Sequence, residues 1–94
     1  MKVTVFAQIQ ARSGQGKALS HVLKQLVKAT LTEVGCLEYT LHQSIEDADQ
    51  FWMYEVWQSQ AALDAHMASP HFNDFVTSSN AIMDKASINK AYAC

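Results

Sequence analysis

The run Phe51-Trp52-Met53-Tyr54-Glu55-Val56-Trp57 constrains the fold more than any other stretch of this chain. It reads as one strand, and successive side chains of a strand point to opposite faces of the sheet. Phe51, Met53, Glu55 and Trp57 share one face; Trp52, Tyr54 and Val56 share the other. Both faces are largely apolar, so both must be covered. A chain of 94 residues has few helices to spend on two sheet faces. A second copy of the chain is the simplest cover for the face its own helices leave bare.

The rest of the chain supplies the other elements of such a sheet. Residues 2 to 11 alternate as a first strand, with Val3, Val5, Ala7 and Ile9 on one side. Ser13-Gly14-Gln15-Gly16 breaks that pattern and opens a helix. Leu19, Val22, Leu23, Leu26, Val27, Leu31 and Val34 recur at three- and four-residue steps opposite Lys17, Lys24 and Lys28. That spacing predicts an amphipathic helix of about five turns, ended by Gly35. Cys36 to Ile45 reads as a second strand, and Glu46-Asp47-Ala48-Asp49-Gln50 as a polar hairpin turn into the aromatic strand at 51–58. Ser59 is placed as the cap of a short helix through Met67. Ser69-Pro70 restarts a helix, with Phe72, Phe75, Val76, Ile82 and Met83 on its apolar side. Residues 86 to 93 read as a weaker last strand.

The order strand, helix, strand, strand, helix, strand is the ferredoxin-like βαββαβ arrangement, an α+β fold with helices on one face of an antiparallel sheet. No repeat or linker divides the chain, so a single domain over residues 1–94 is expected. Seven Lys and Arg against nine Asp and Glu leave a net charge of -2, with no basic patch to hold nucleic acid. No apolar run is long enough for a membrane span. The alternating start lacks a signal-peptide pattern, and a cytoplasmic location is the expectation. Cys36 and Cys94 show no metal-ligand spacing and read as free thiols.

Gly35-Cys36-Leu37-Glu38-Tyr39, Tyr54-Glu55-Val56-Trp57, Ala62-Leu63-Asp64-Ala65-His66 and Ser69-Pro70-His71-Phe72 together resemble the antibiotic biosynthesis monooxygenase domain family. The likeness runs from about residue 3 to residue 92. It implies a dimeric α+β barrel, two ferredoxin-like chains packed sheet against sheet. It also implies a choice of chemistries: oxygenation of quinols or polycyclic phenols with molecular oxygen and no cofactor, haem degradation, or isomerisation of a phosphorylated signal molecule. The haem-degrading branch uses a histidine on the helix after the proline-containing cap and an asparagine on the first strand. Here that helix reads Phe72-Asn73-Asp74-Phe75-Val76-Thr77 and the first strand offers Gln8 and Gln10. Haem, which needs an axial side chain, is therefore not expected.

The polar residues set among these aromatics carry the candidate chemistry. His66 and His71 suit proton transfer at neutral pH, and a kink between two helices would bring both toward one pocket mouth. The alternative is that each histidine caps a helix end. Metal ligation is not expected: the pair lacks i, i+4 spacing and shows no third ligand. His42 and Tyr54 are candidates to hold a substrate oxygen, and Trp57 and Phe72 to wall an apolar pocket. The aromatics equally suit core or interface packing. Glu55, a carboxylate among aromatics, must find a hydrogen-bond partner, in its own chain or across a dimer.

These residues support an expected cofactor-independent monooxygenase of a small phenolic or quinol-type substrate. His66 would be its base, helped by His42 and His71, with Trp57, Tyr54, Phe72 and Glu55 around the ligand. An isomerase or lyase for a small metabolite is the first rival. A non-catalytic dimer holding an apolar ligand is the second.

Overall fold

The alternation in the first strand fixes the centre of the molecule. In the computed structural model, which describes residues 1–94, Val3, Val5, Ala7, Ile9 and Ala11 are buried on one face of β1 (Val3–Ala11). α1 (Gly16–Thr30), β2 (Cys36–Gln43), β3 (Gln50–Trp57), α2 (Gln60–Met67), α3 (Pro70–Ser79) and β4 (Met83–Ala91) follow. The strands form one sheet in the order β2-β3-β1-β4, and every pairing is antiparallel. This is the ferredoxin-like α+β fold.

Register decides which side chains share the inner face. β1 pairs with β3 so that Val3 faces Trp57, Val5 faces Glu55, Ala7 faces Met53 and Ile9 faces Phe51. Leu19, Leu23 and Leu26 of α1, Leu63 of α2 and Phe75 of α3 close over that row to complete the core. The outer face pairs Phe6 with Tyr54 and Gln8 with Trp52. No helix covers it, and Phe6 and Trp52 are exposed.

α1 begins without a cap of its own, since Gln15 makes no capping bond. Asp49 of the β2–β3 turn supplies one. Its Oδ1 accepts from Gly16 N at 2.8 Å and its Oδ2 from Gly14 N at 3.0 Å. A carboxylate there satisfies free amides and suits the positive end of the helix. A side chain at Gly16 would strike Ala48 O, so glycine is required for the turn to approach this closely.

α1 stops a turn before the residue-34 end that its apolar spacing predicts. Glu33 N bonds Thr30 O at 3.0 Å and Thr32 N bonds Ala29 O at 3.2 Å, so the chain tightens after Thr30. Val34 and Leu31 are exposed and gain nothing from continuing the helix. Glu33, seven residues after Leu26, keeps to the inner side and is 17% exposed. Gly35 is not a helix cap: an added Cβ would collide with Ala62 Cβ, so this glycine is where α2 packs against the chain.

The other boundaries shift less. β2 ends at Gln43, and Leu37 forms a bulge between Cys36 and Glu38 that leaves it half exposed. β4 starts at Met83, so Ile82 and Met83 belong to the strand approach rather than to the preceding helix, which ends at Ser79.

Candidate functional site

The site is assembled where three chain segments converge beneath the inner face of the sheet. Ser59 caps α2, its hydroxyl accepting from Ala62 N at 3.2 Å. Ser69 caps α3 in the same way, accepting from Phe72 N at 3.2 Å, and donates to His66 O at 2.7 Å. Pro70 follows at the first helical position, where its missing N–H costs nothing. This short junction fixes the end of one helix against the start of the next. It carries His66 on one side and His71 on the other.

Both imidazoles meet the inward-turned Glu33. His66 Nδ1 and His71 Nε2 each lie 2.7 Å from the same carboxylate oxygen, Oε2. A carboxylate oxygen can only accept, so each of those ring nitrogens carries the hydrogen. The hydrogen bonds are short, as charge-assisted ones are. No third ligand for the histidine pair stands out in the sequence; in the structure Glu33 is the shared partner. Seven residues after Leu26 it stands on the apolar row of α1, where a lone glutamate reads as a break in the stripe.

The two histidines are not equivalent. His66 is 1% exposed and lies 4.7 Å from the Trp57 ring, 5.1 Å from Phe72 and 5.4 Å from Tyr39, centroid to centroid. Burial lowers its pKa, opposed by the hydrogen bond and charge of Glu33, so the neutral ring is favoured. His71 is 27% exposed and opens on a cavity of about 170 Å³ between α1 and α3. Val22, Leu26 and Phe75 supply the apolar wall of that cavity; Gln25, Asp74 and Ser78 supply the polar one. It has no Lys or Arg in its lining. The expectation that both histidines reach one pocket mouth is therefore corrected: they share a carboxylate, but only His71 reaches the cavity.

Glu55 stands deeper on the same face, 6% exposed, and accepts from Trp57 Nε1 at 2.9 Å. Its partner lies in its own strand. Burial pushes its pKa up to about 7, partly countered by the indole bond and reinforced by Glu33. Tyr39 is raised further still by burial and by the Glu55 charge. Cys36, at the same end of the sheet, is raised to about 11, chiefly by burial. Trp57 is fully buried against His66, and Phe72 meets the same imidazole edge-on.

Tyr54 and His42 are not part of this assembly. Tyr54 stacks on Phe6 at 5.5 Å on the outer face, and His42, paired in register with Trp52, lies on that face too. His42 Nδ1 is 3.2 Å from Thr40 O, a bond to backbone. The outer face also holds a hollow of about 420 Å³ lined by Gln8, Gln10, Asp47, Gln50, Asp84, Lys85, Ala86 and Ser87. It is larger than the α1–α3 cavity but contains no histidine and only Ala86 as apolar wall. Of the residues singled out from sequence, His66, His71, Trp57 and Phe72 come together, with Glu55 behind Trp57.

Residues 2–78 match the model of the antibiotic biosynthesis monooxygenase family. Rv0793 of Mycobacterium tuberculosis is 33% identical over 73 residues, covering 78% of this chain and 71% of its own length. The protein sll1783 of Synechocystis is 26% identical over 90 residues, and the chain spans only 61% of that relative. Among solved structures, PA3566 of Pseudomonas aeruginosa superposes with a TM-score of 0.95 at 35% identity, covering 99% of this chain and 94% of that one. A structure described as an antibiotic biosynthesis monooxygenase superposes with a TM-score of 0.91 at 29% identity, over 98% of both chains. The chain belongs to the antibiotic biosynthesis monooxygenase family.

Proposed function

We propose that this chain is a cofactor-independent monooxygenase acting on a small, one-ring phenol or quinol, with His71 as the base. The observation that carries the proposal is the shared carboxylate at the cavity edge. His71 Nε2–H is held by Glu33 at 2.7 Å, which leaves Nδ1 as the proton acceptor. A carboxylate behind an imidazole fixes the tautomer and stabilises the imidazolium once the proton has moved. His66 donates to the same oxygen and keeps the carboxylate aimed.

In this mechanism the substrate's hydroxyl gives its proton to His71, and the electron-rich anion reacts with molecular oxygen. One oxygen atom ends on a ring carbon and the other leaves as water, the ring supplying the electrons. Val22, Leu26 and Phe75 hold the ring. The volume of about 170 Å³ is below the ~300–1,000 Å³ of ordinary ligand pockets, which suits a single ring. With Asp74 at its wall and no cation, the cavity disfavours phosphorylated or carboxylated substrates. This weighs against the isomerase of a phosphorylated metabolite.

A second copy of the chain on the outer face completes the proposal, giving a homodimer. Phe6 is 52% and Trp52 41% exposed on a face that also carries Tyr54 and Val56. Soluble monomers rarely leave such aromatic patches bare.

The test is oxygen consumption on a panel of hydroquinones and simple phenols, with isotopically labelled oxygen and mass analysis of the product. Incorporation of one labelled atom, and its loss in Glu33→Gln, supports the reading. No uptake with any member of the panel contradicts it.

A further inference from the structure

We infer that Glu33, His66 and His71 also form a binding site for a divalent transition-metal ion of the zinc type, and that the ion silences the base. The inhibitory half rests on the function proposed above; the binding half stands without it. The geometry is that of a ligand set. Glu33 Oε2, His66 Nδ1 and His71 Nε2 come from the turn after α1, from α2 and from α3, and lie within 4.8 Å of one another. Two of the three separations are 2.7 Å. Ligands sharing one ion at ~2.0–2.2 Å stand roughly 3–4 Å apart. An ion therefore asks only for a small outward movement of the two rings from the carboxylate oxygen and a closer approach of the two nitrogens.

The donor chemistry selects the ion. Two imidazoles and one carboxylate suit zinc, cobalt or nickel and are poor ligands for calcium or magnesium, which prefer all-oxygen sites. The surroundings suit a built site. His66 is held by Trp57, Tyr39 and Phe72, so its ring is already oriented. His71 is 27% and Glu33 17% exposed, which gives the ion a way in and a water its remaining position.

Binding also rewrites the tautomers. An imidazole nitrogen must be bare to ligate. Without metal, His71 keeps its hydrogen on Nε2, toward Glu33, and its Nδ1 is the acceptor. With metal on Nε2, the hydrogen moves to Nδ1, and the acceptor atom of the proposed base becomes a donor. The ion takes the place of the hydrogens between the rings and the carboxylate. Proton-acceptor and metal-bound forms of the site are mutually exclusive.

The experiment uses the full chain in its native assembly, stripped with chelator and titrated with zinc against a chromophoric chelator. Cobalt titration follows the visible bands that report its coordination. One zinc per chain is expected, with Glu33→Gln and His71→Ala each weakening binding at least about tenfold, since losing even a supporting partner of a ligand costs ~10–100-fold. His21→Ala, on the exposed side of α1, should change nothing. Circular dichroism identifies any variant that fails to fold, and His71→Gln then replaces His71→Ala. No binding by the wild type overturns the inference. So does binding that survives in both variants, which would place the ion on exposed histidines. Wild type that oxidises a quinol but binds no zinc removes this inference and keeps the base. Zinc binding without any base activity does the reverse.

Discussion

The two faces of β3 are built from similar residues and have different fates. On the inner face, Trp57 is fully buried, Glu55 has its indole partner, and the His66 ring lies against Trp57 with its Nδ1–H on Glu33. On the outer face, Trp52 is 41% exposed, Tyr54 has only Phe6 beside it, and His42 bonds nothing but backbone. Aromatics, a histidine and alternating apolar positions occur on both. What separates them is a carboxylate. Glu33 and Glu55 are brought under the helices, where a low dielectric makes each charge matter. No carboxylate is held against the outer aromatics in this way. The inner face acquires chemistry from its burial; the outer face acquires an unfilled demand for cover.

Truncating the two tryptophans should separate the two faces by the largest energy. Trp57→Ala removes a fully buried ring from the core and should cost about 3–5 kcal/mol in denaturant unfolding. Trp52→Ala should cost about 1 kcal/mol or less in the folded monomer, with its effect appearing as weaker self-association. Equal costs for the two would erase the distinction between the faces.

The pH dependence of stability separates the inner carboxyl from its neighbours. Folding raises the Glu55 pKa from 4.5 to about 7. The stability this gives is fully present below about pH 4.5 and is lost as pH rises through about 7. His66 has the opposite sign: its pKa is lowered, so its contribution is present above about pH 6.5 and is lost as pH falls below that. Glu55→Gln keeps an acceptor for Trp57 and removes the alkaline loss. It should be more stable than wild type at about pH 8 by up to roughly 3 kcal/mol, with the advantage gone by about pH 4. Parallel stability curves for the two proteins would show that Glu55 is not held protonated by its burial.

Two smaller effects test the edges of each face. Phe6→Asp puts a charge on the outer aromatic patch and should convert the proposed dimer to monomer in sedimentation equilibrium without unfolding it. Asp49→Ala strips the cap from α1 and should lower stability by about 1–2 kcal/mol.

Much of this architecture is legible in the sequence, and the reasons for the exceptions are local. The period of two in residues 3–11 and 51–57 gives the strands and their inner rows, because burial on one face leaves that pattern. Ser59, Ser69 and Pro70 mark the α2 and α3 starts by chemistry that acts over three residues. The end of α1 is not visible in this way. Leu31 and Val34 continue the apolar spacing, but tertiary packing abandons them, and the chain tightens after Thr30. Glu33 falls on the buried row, seven residues after Leu26 and three after Thr30, but a single glutamate at an apolar position does not reveal that it is the hub of the site. A charged residue at a position where the helical spacing calls for an apolar one is the trace it leaves. Asp49 is similar: a turn residue by composition, a helix cap by virtue of a contact 33 residues away. Tyr54 and His42 show the converse limit. Their chemistry suits a site, but the parity of their strands places them on the other side of the sheet.

The proton-moving role is assigned to the inner histidine at the cavity, His71, and not to the outer one, His42. Oxygen uptake on a hydroquinone, measured for wild type, His71→Ala and His42→Ala together with thermal melts, tests it most directly. A loss of about 10²–10⁴-fold in rate is expected for His71→Ala, with the protein still folded and destabilised by no more than the loss of its one bond to Glu33, and wild-type rates are expected for His42→Ala. Full activity in His71→Ala, or a comparable loss in His42→Ala with the dimer intact, would contradict it.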